Sequence, residues 1–457
     1  MLINFSVPKL CEDYDVIMLG HRDLGIGDKV LLAHHRLSSW LTDLKKLRNT
    51  EYPAYWLGGT LGHLGTRIFV ITCLWQAVHM SEQAAWVALV GFLYGIPLLP
   101  CSPLAGWLGD KKMSRGTLLV GACMLGAVVA GVYSWIVGNG LETKFLLGAA
   151  NLVMGIAFAF YGASRLALLA TILKGNNVFS VASFDLSSTR MMGFFGPVMA
   201  GLLLTYYNYT VALAVASVTL AGAGITFAIL KSNLRQHDHN KASNEREYKS
   251  SLSVDGEKFG GSFQKYLLGD KVVLLLLFMG LLSIPIGMTY LKMTPVFVDK
   301  VINGGPDLYG NLIGMASAFA AISGLILSFM SKVNKPGEKC ILATVCFGLS
   351  LVLFAYTRSV IMLYLIAGLT GLFQGIFLTI MNATYQSRVP DMFRGRIIGS
   401  WGMVWGLLPV ATIGAGYLTD LFSVVWVVAA SGWFCVAVGL IGAVWYAVNK
   451  SISAFAQ

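Results

Sequence analysis

Four charged side chains fall well inside long apolar runs of this sequence: Arg67, Asp185, Arg190 and Lys292. Holding such a charge at the centre of a membrane helix costs about 2.5–3.5 kcal/mol on insertion scales, so each needs a partner or a polar cavity. The chemistry this permits is the binding and movement of charged solutes, not bond breaking. Arg67 is the deepest of the four, and two roles stay open for it: lining a central cavity that attracts an anion, or pairing with Asp185. Asp185 and Arg190 are five positions apart and share no helix face, so each needs a partner elsewhere. Lys292 lies about two turns from the end of its run and is expected to snorkel outward. His79 closes the first run; it reads as an interfacial histidine, with titration near neutral pH as the alternative. Trp75, Gln76, Tyr290, Gln374 and Asn382 add polar and aromatic groups within apolar runs. Singly each is expected to join helices by hydrogen bonds; together they fit a large cavity of mixed polarity.

Nothing in the chain points to catalysis. His237-Asp238-His239 has a metal-like look but sits in a polar stretch without further ligands. No phosphate-binding P-loop is present to couple the chain directly to ATP. Cys73, Cys101, Cys123, Cys346 and Cys435 lie in apolar stretches without metal-ligand spacing and read as small packing residues. No metal, cofactor or enzymatic activity is expected.

The elements that hold these residues are membrane helices. Of 457 residues, 56% are hydrophobic and 12% charged, about half the charge of a soluble domain. Runs of about 20 apolar residues fall near 56–79, 84–108, 117–137, 145–164, 178–205, 210–230, 271–298, 308–330, 340–356, 360–384, 397–419 and 424–448, with internal prolines in the second, fifth and eleventh. Basic loops mark the cytoplasmic side. Twelve spans with both termini inside put 27 of the 33 Lys and Arg there, leaving Lys144, Lys300 and Arg358 outside and Arg67, Arg190 and Lys292 within spans. The net charge of +11 therefore belongs to short loops, and no nucleic-acid partner is expected.

A polar stretch from Leu234 to Gly269 divides the spans into two sets of six. The expected organisation is a cytoplasmic extension (1–54), a six-helix bundle (55–231), a cytoplasmic linker (232–269), a second bundle (270–450) and a tail (451–457). Gly148, Gly155 and Ile156 recur at the same spacing as Gly368, Gly375 and Ile376, and Ser164-Arg165 and Ser387-Arg388 close the two segments. This fits duplicated halves. Leu37, Trp40, Leu41, Leu44 and Leu47 repeat at helical spacing beside Lys45, Lys46 and Arg48, as in an amphipathic helix on an anionic membrane surface. A start of translation downstream, for example at Met18, is the alternative. The first thirty residues lack a signal-peptide pattern, so the first span is expected to direct its own insertion.

Between the second and third spans runs Gly106-Trp107-Leu108-Gly109-Asp110-Lys111-Lys112-Met113-Ser114-Arg115-Gly116-Thr117-Leu118. It resembles the loop signature of the major facilitator superfamily, G-x-L-A-D-R-x-G-R-K-x-x-L, with Met113 in place of a glycine and Ser114 in place of a basic residue. The resemblance implies that Gly106, Gly109, Asp110 and Arg115 form a cytoplasmic gate, Asp110 bridging the halves with Arg115 as a nearby charge partner. Gly196, Pro197 and Gly201 resemble the glycine-proline kink of antiporter members, without the usual tighter G-P-x-x-G-G spacing. Trp56-Leu57-Gly58, Leu64-Gly65, Pro103-Leu104-Ala105-Gly106, Gln386, Val389-Pro390-Asp391 and Arg394-Gly395-Arg396 resemble the drug–proton antiporter branch that holds macrolide-efflux proteins and the enterobactin exporter. Lysophospholipid transporters are similar in layout.

The expected fold is thus an all-α integral membrane protein of twelve helices in two six-helix bundles. The resemblance implies a monomeric secondary transporter of the inner (plasma) membrane that exports an amphipathic small molecule such as a drug or siderophore. Proton coupling is implied too, although Asn151 stands where many proton-coupled relatives carry arginine. A lysophospholipid flippase and a non-transporting scaffold or sensor are the alternatives.

Overall fold

The computed structural model describes residues 51–111, 114–172, 178–241, 267, 269–328, 335–389 and 391–455. The amphipathic segment at 37–48 and most of the polar linker lie outside the described residues. The described chain is helical throughout, without strands. Its helices are α1 (Tyr52–Met80), α2 (Ala84–Gly95), α3 (Leu98–Lys111), α4 (Arg115–Gly138), α5 (Lys144–Ile172), α6 (Val178–Tyr206) and α7 (Tyr209–Lys241). After the linker come α8 (Lys271–Gly287), α9 (Tyr290–Phe297), α10 (Pro306–Ser328), α11 (Pro336–Tyr356), α12 (Val360–Arg388), α13 (Asp391–Leu421) and α14 (Val424–Phe455). Among the described residues, eleven spans are long and apolar enough to cross a membrane, α2 with α3 and α8 with α9 each making one. The twelfth place belongs to the 29-residue α6, whose first half is polar around Asp185 and Arg190.

Two spans are broken, and proline explains the first. Pro97 has no N–H and its ring opposes the carbonyl one turn back, so the chain turns at Ile96-Pro97 between α2 and α3. The seventh span holds Pro285 and Pro295, which sequence reading passed over, and is interrupted at Met288-Thr289. It then runs on as a π-helical turn, Val298–Ile302, ending at Asn303 in the left-handed region at φ 53°. The span is therefore longer than its apolar run implied.

The helices alternate in direction, so the loop between α3 and α4 lies at one end, here the basic end, and Met80 and Leu421 at the other, the far end. The helices before and after the linker meet along two seams, α2 on α13 and α6 on α10. Both depend on glycine. A Cβ on Gly201 would lie 2.7 Å from the Pro306 carbonyl oxygen, and one on Gly310 would lie 3.0 Å from the Gly201 Cα while colliding with the Pro197 carbonyl. Gly416 likewise admits Ala84 and Ala88, and Gly95 admits Pro409. Small residues let backbones touch where a hydrophobic drive between helices is missing.

One apolar cluster runs through both sets of helices towards the far end, from Phe69, Leu74 and Val87 to Phe297, Tyr309 and Val428. A second cluster, around Leu276, Ile380, Met381 and Tyr385, belongs to the post-linker helices alone, nearer the basic end. The two sets thus share a core at the far end. Gly310→Leu overpacks the α6–α10 seam and is expected to destabilise the protein by about 1–3 kcal/mol. Gly414→Leu, at a position with no atom in reach of a new Cβ, should leave the thermal midpoint in detergent unchanged. Equal midpoints for both variants would contradict the seam.

Candidate functional site

Arg67 stands near the middle of α1, roughly 20 Å from either end at 1.5 Å per residue. Among the candidate spans α1 is the most enclosed, with 72% of its apolar stretch buried, yet Arg67 is exposed. Its charge acts on His63, on Tyr94 of α2 and on Lys292 of α9, so the exposed side chain stands among helices of both sets. Gly196 of α6 makes the room, because a methyl group there would collide with the Arg67 Cβ. Two residues singled out in the sequence for different reasons therefore form one contact.

His63 lies one turn before Arg67 on the same face. Its ring meets Phe158 edge-on at 6.1 Å and Tyr161 at 5.1 Å, both on α5. Phe158 in turn lies 5.8 Å from the Tyr94 ring of α2. The Tyr94 ring also meets Lys292 of α9, whose amine lies 5.5 Å from the ring centre and whose stem packs where Gly91 has no side chain. The expected snorkelling of Lys292 is not what the structure shows. The seventh span continues to Ile302, which leaves Lys292 about 15 Å from the far end, and the Tyr94 ring face attracts its cation. Arg67 and Lys292 lie close enough for their charges to interact. Among the described residues no carboxylate pairs with either.

Asp185 is not the partner of Arg67. Its carboxylate is bonded to Arg165 of α5, and the pair is almost wholly buried at 7% and 4% side-chain exposure. Arg165 also donates to the Thr189 hydroxyl at 3.2 Å and lies over the Tyr55 ring at 5.2 Å. Tyr55 donates to the Arg165 carbonyl at 3.2 Å. A methyl group on Gly59 would come within 2.7 Å of the guanidinium, so that glycine is what lets α1 lie against it. The network ties α1, α5 and α6 together. The sequence had marked Arg165 as the close of the fourth span, but α5 runs on to Ile172 and carries it inside. Arg190, the cation of α6, reaches α10 beside Gly324.

Most of the remaining expected cavity residues join helices. Gln76 is buried and accepts a bond from the Tyr133 hydroxyl at 3.0 Å. Trp75, also buried, stacks on Tyr309 of α10 at 5.7 Å. The buried Tyr290 hydroxyl lies 3.5 Å from Gln374, which borders a small pocket with Ser283, Thr344 and Phe347. Asn382 donates to its own helix at Leu378.

At the basic end, Ser114 accepts from the Thr117 N–H at 3.2 Å and caps α4, which is the use of a hydroxyl where the signature has a basic residue. Arg115 covers Gly109 and donates to the Ala167 carbonyl at 3.0 Å. Gly106 has open space around it. The Asp110 side chain lies outside the described residues.

The far end carries polar closure between the two sets of helices. Asp420 of α13 accepts from the Ala84 and Ala85 N–H groups at 2.6 and 2.9 Å. A carboxylate from one set thereby caps the first turn of α2 in the other, where unpaired N–H groups and the helix dipole favour negative charge. Lys300 bonds the Glu82 carbonyl, and His79 lies 3.9 Å from Asp299. No spacing in the sequence signals these pairs.

Residues 55–358 match the profile of the Major Facilitator Superfamily. The chain is 23% identical over 402 residues to the staphyloferrin A transporter of Staphylococcus aureus (strain NCTC 8325 / PS 47), covering 87% of this chain and 94% of the relative. Among solved structures it is similar to a POT family transporter in complex with a thioalcohol-conjugated peptide (TM-score 0.64, 13% identity, 86% of this chain and 94% of that one). It is also similar to the nucleoside transporter NupG (TM-score 0.61, 15% identity, 87% and 99%). These structural likenesses show the fold.

Arg165→Gln strands a buried carboxylate and should cost about 3–5 kcal/mol, read as a fall in thermal midpoint. The double variant with Asp185→Asn should recover part of that loss, and an unchanged midpoint for Arg165→Gln alone would contradict the pairing. Asp420→Asn keeps an acceptor but removes the charge, which is worth about 0.3–2 kcal/mol at a helix N-terminus. Spin labels at Ser81 and Phe422 should then show a several-fold larger population of long distances; an unaltered distribution would contradict a holding role for the Asp420 cap.

Proposed function

The chain belongs to the Major Facilitator Superfamily and is a membrane transporter, and from that premise we propose that it is a secondary active exporter working by alternating access. In this reading the helices before and after the linker are two bundles rocking about a central site, and the basic end faces the cytoplasm of a multi-pass inner-membrane protein. The protein acts as a monomer. The shared far-end core and the Asp420 cap then belong to a state closed towards the outside, and the α3–α4 loop with Asp110 and Arg115 would close the opposite end.

The observation that carries the proposal is the exposed Arg67 on the most enclosed span. A charge kept open inside the protein at mid-membrane depth has a use in binding what passes through, since structural pairing would have covered it. The cargo is an amphipathic small molecule, and the similarity to a staphyloferrin A transporter favours a siderophore over a drug. Phe158, Tyr161 and Tyr94 give the site aromatic ring faces beside the cation, with the His63 imidazole set between them and the Arg165 guanidinium. Protons are the proposed coupling ion.

Reconstituted protein should move a siderophore from a panel of siderophores, drugs and lysophospholipids, faster with an imposed pH gradient. Arg67→Gln should reduce flux at least about tenfold, the scale of one lost charge-assisted hydrogen bond, with folded protein retained. Flux of lysophospholipid alone, or full flux in Arg67→Gln, would contradict the reading.

A further inference from the structure

Arg67 and Lys292 come from the two most enclosed candidate spans, the first and the seventh, on opposite sides of the linker. Both are cations far from either membrane surface, and no described carboxylate answers them. They terminate a run of rings: Lys292 on Tyr94, Tyr94 against Phe158, Phe158 against His63, and His63 one helical turn from Arg67. The ring faces are attractive to a cation but carry no charge, so two positive charges lie within range of each other without neutralisation by a described carboxylate. Arg165 shows how the same protein treats a structural cation, bonding it to Asp185 and burying both. Arg67 and Lys292 are treated differently.

We propose that Arg67 and Lys292 form a split anion site, and that the cargo carries at least two acidic groups, one held by each set of helices. The inference rests on the reading of this cleft as the transport site and specifies what it takes. Such a cargo removes the repulsion between the two cations as it binds, and so favours their approach. A cargo with one acid group leaves one cation unanswered. A lipophilic cation is repelled by both. Arg67 supplies a planar, two-pronged donor for a carboxylate, and Lys292 a point charge on a flexible stem. The two positions therefore tolerate exchange differently, and Lys292→Arg should be the milder change.

The test uses the purified full chain in detergent with citrate as probe, and reads the shift in thermal midpoint as a function of concentration. Trimethyl citrate, with the same skeleton and no charge, and acetate, with a single charge, are the controls. Citrate should raise the midpoint saturably, and the controls should not. Arg67→Gln and Lys292→Gln should each weaken citrate at least about tenfold, with Lys292→Arg within about threefold of the parent; a lost charge-assisted hydrogen bond is worth at least that factor. If Arg67→Gln does not fold, Lys292→Gln carries the same test.

No stabilisation by citrate, or equal stabilisation of the parent and both glutamine variants, would overturn the site. The flux panel separates this from the exporter reading. Flux of a solute without citrate stabilisation removes the split site and leaves the exporter. Citrate stabilisation that depends on both cations, with no flux for any panel member, removes the exporter and leaves the site.

Discussion

Charge held away from water must be answered by opposite charge, by hydrogen bonds or by access to a polar space, and this constraint governs the interior of the molecule. Arg165 and Asp185 satisfy it by pairing, with the Thr189 hydroxyl and the His63 ring nitrogen beside the guanidinium and the Tyr55 ring against its face. Arg67 satisfies it by exposure on an otherwise enclosed helix, and Lys292 by lying over the Tyr94 ring. The first solution is rigid and joins three helices. The second leaves charge that no described carboxylate takes up.

Alternating access requires contacts that hold one closed state without making it permanent. The far end has contacts of that kind. Asp420 caps a helix belonging to the other set, which is a short-range interaction and is lost entirely once the ends separate. The glycine contacts of Gly201 with Gly310 and of Gly416 with Ala88 contribute close fit with little side-chain entropy to lose. A seam of that type can part and re-form, whereas interdigitated large side chains would have to repack. The shared apolar cluster adds a larger but less directional term.

The fold was legible in the sequence because a bilayer imposes length and apolarity on every span, and twelve such runs are hard to hide. The family resemblance followed from the run Gly106 to Leu118, where Gly106, Leu108, Asp110 and Leu118 match the superfamily signature outright. The site was less legible, for a definite reason. The fourth and seventh spans were ended too early, at 164 and 298, where the helices run to Ile172 and Ile302. Those few residues made Arg165 look like a loop charge and Lys292 like a surface one. Glycines and prolines announced the bends of the second span, but the partners of Asp185 and Asp420 are distant in the chain, and no local pattern encodes them. Arg67 drew notice from the sequence alone, since an arginine in the middle of an apolar run is conspicuous whatever surrounds it.

The central claim is that position 67 opens onto water between the two sets of helices at mid-membrane depth. In a chain whose native cysteines are replaced, single cysteines at 67, 68 and 69 can be exposed to a charged, membrane-impermeant methanethiosulfonate reagent. The account predicts rapid modification at 67 and almost none at the buried neighbours Ile68 and Phe69. Protection of position 67, or equal reaction at all three positions, would contradict it.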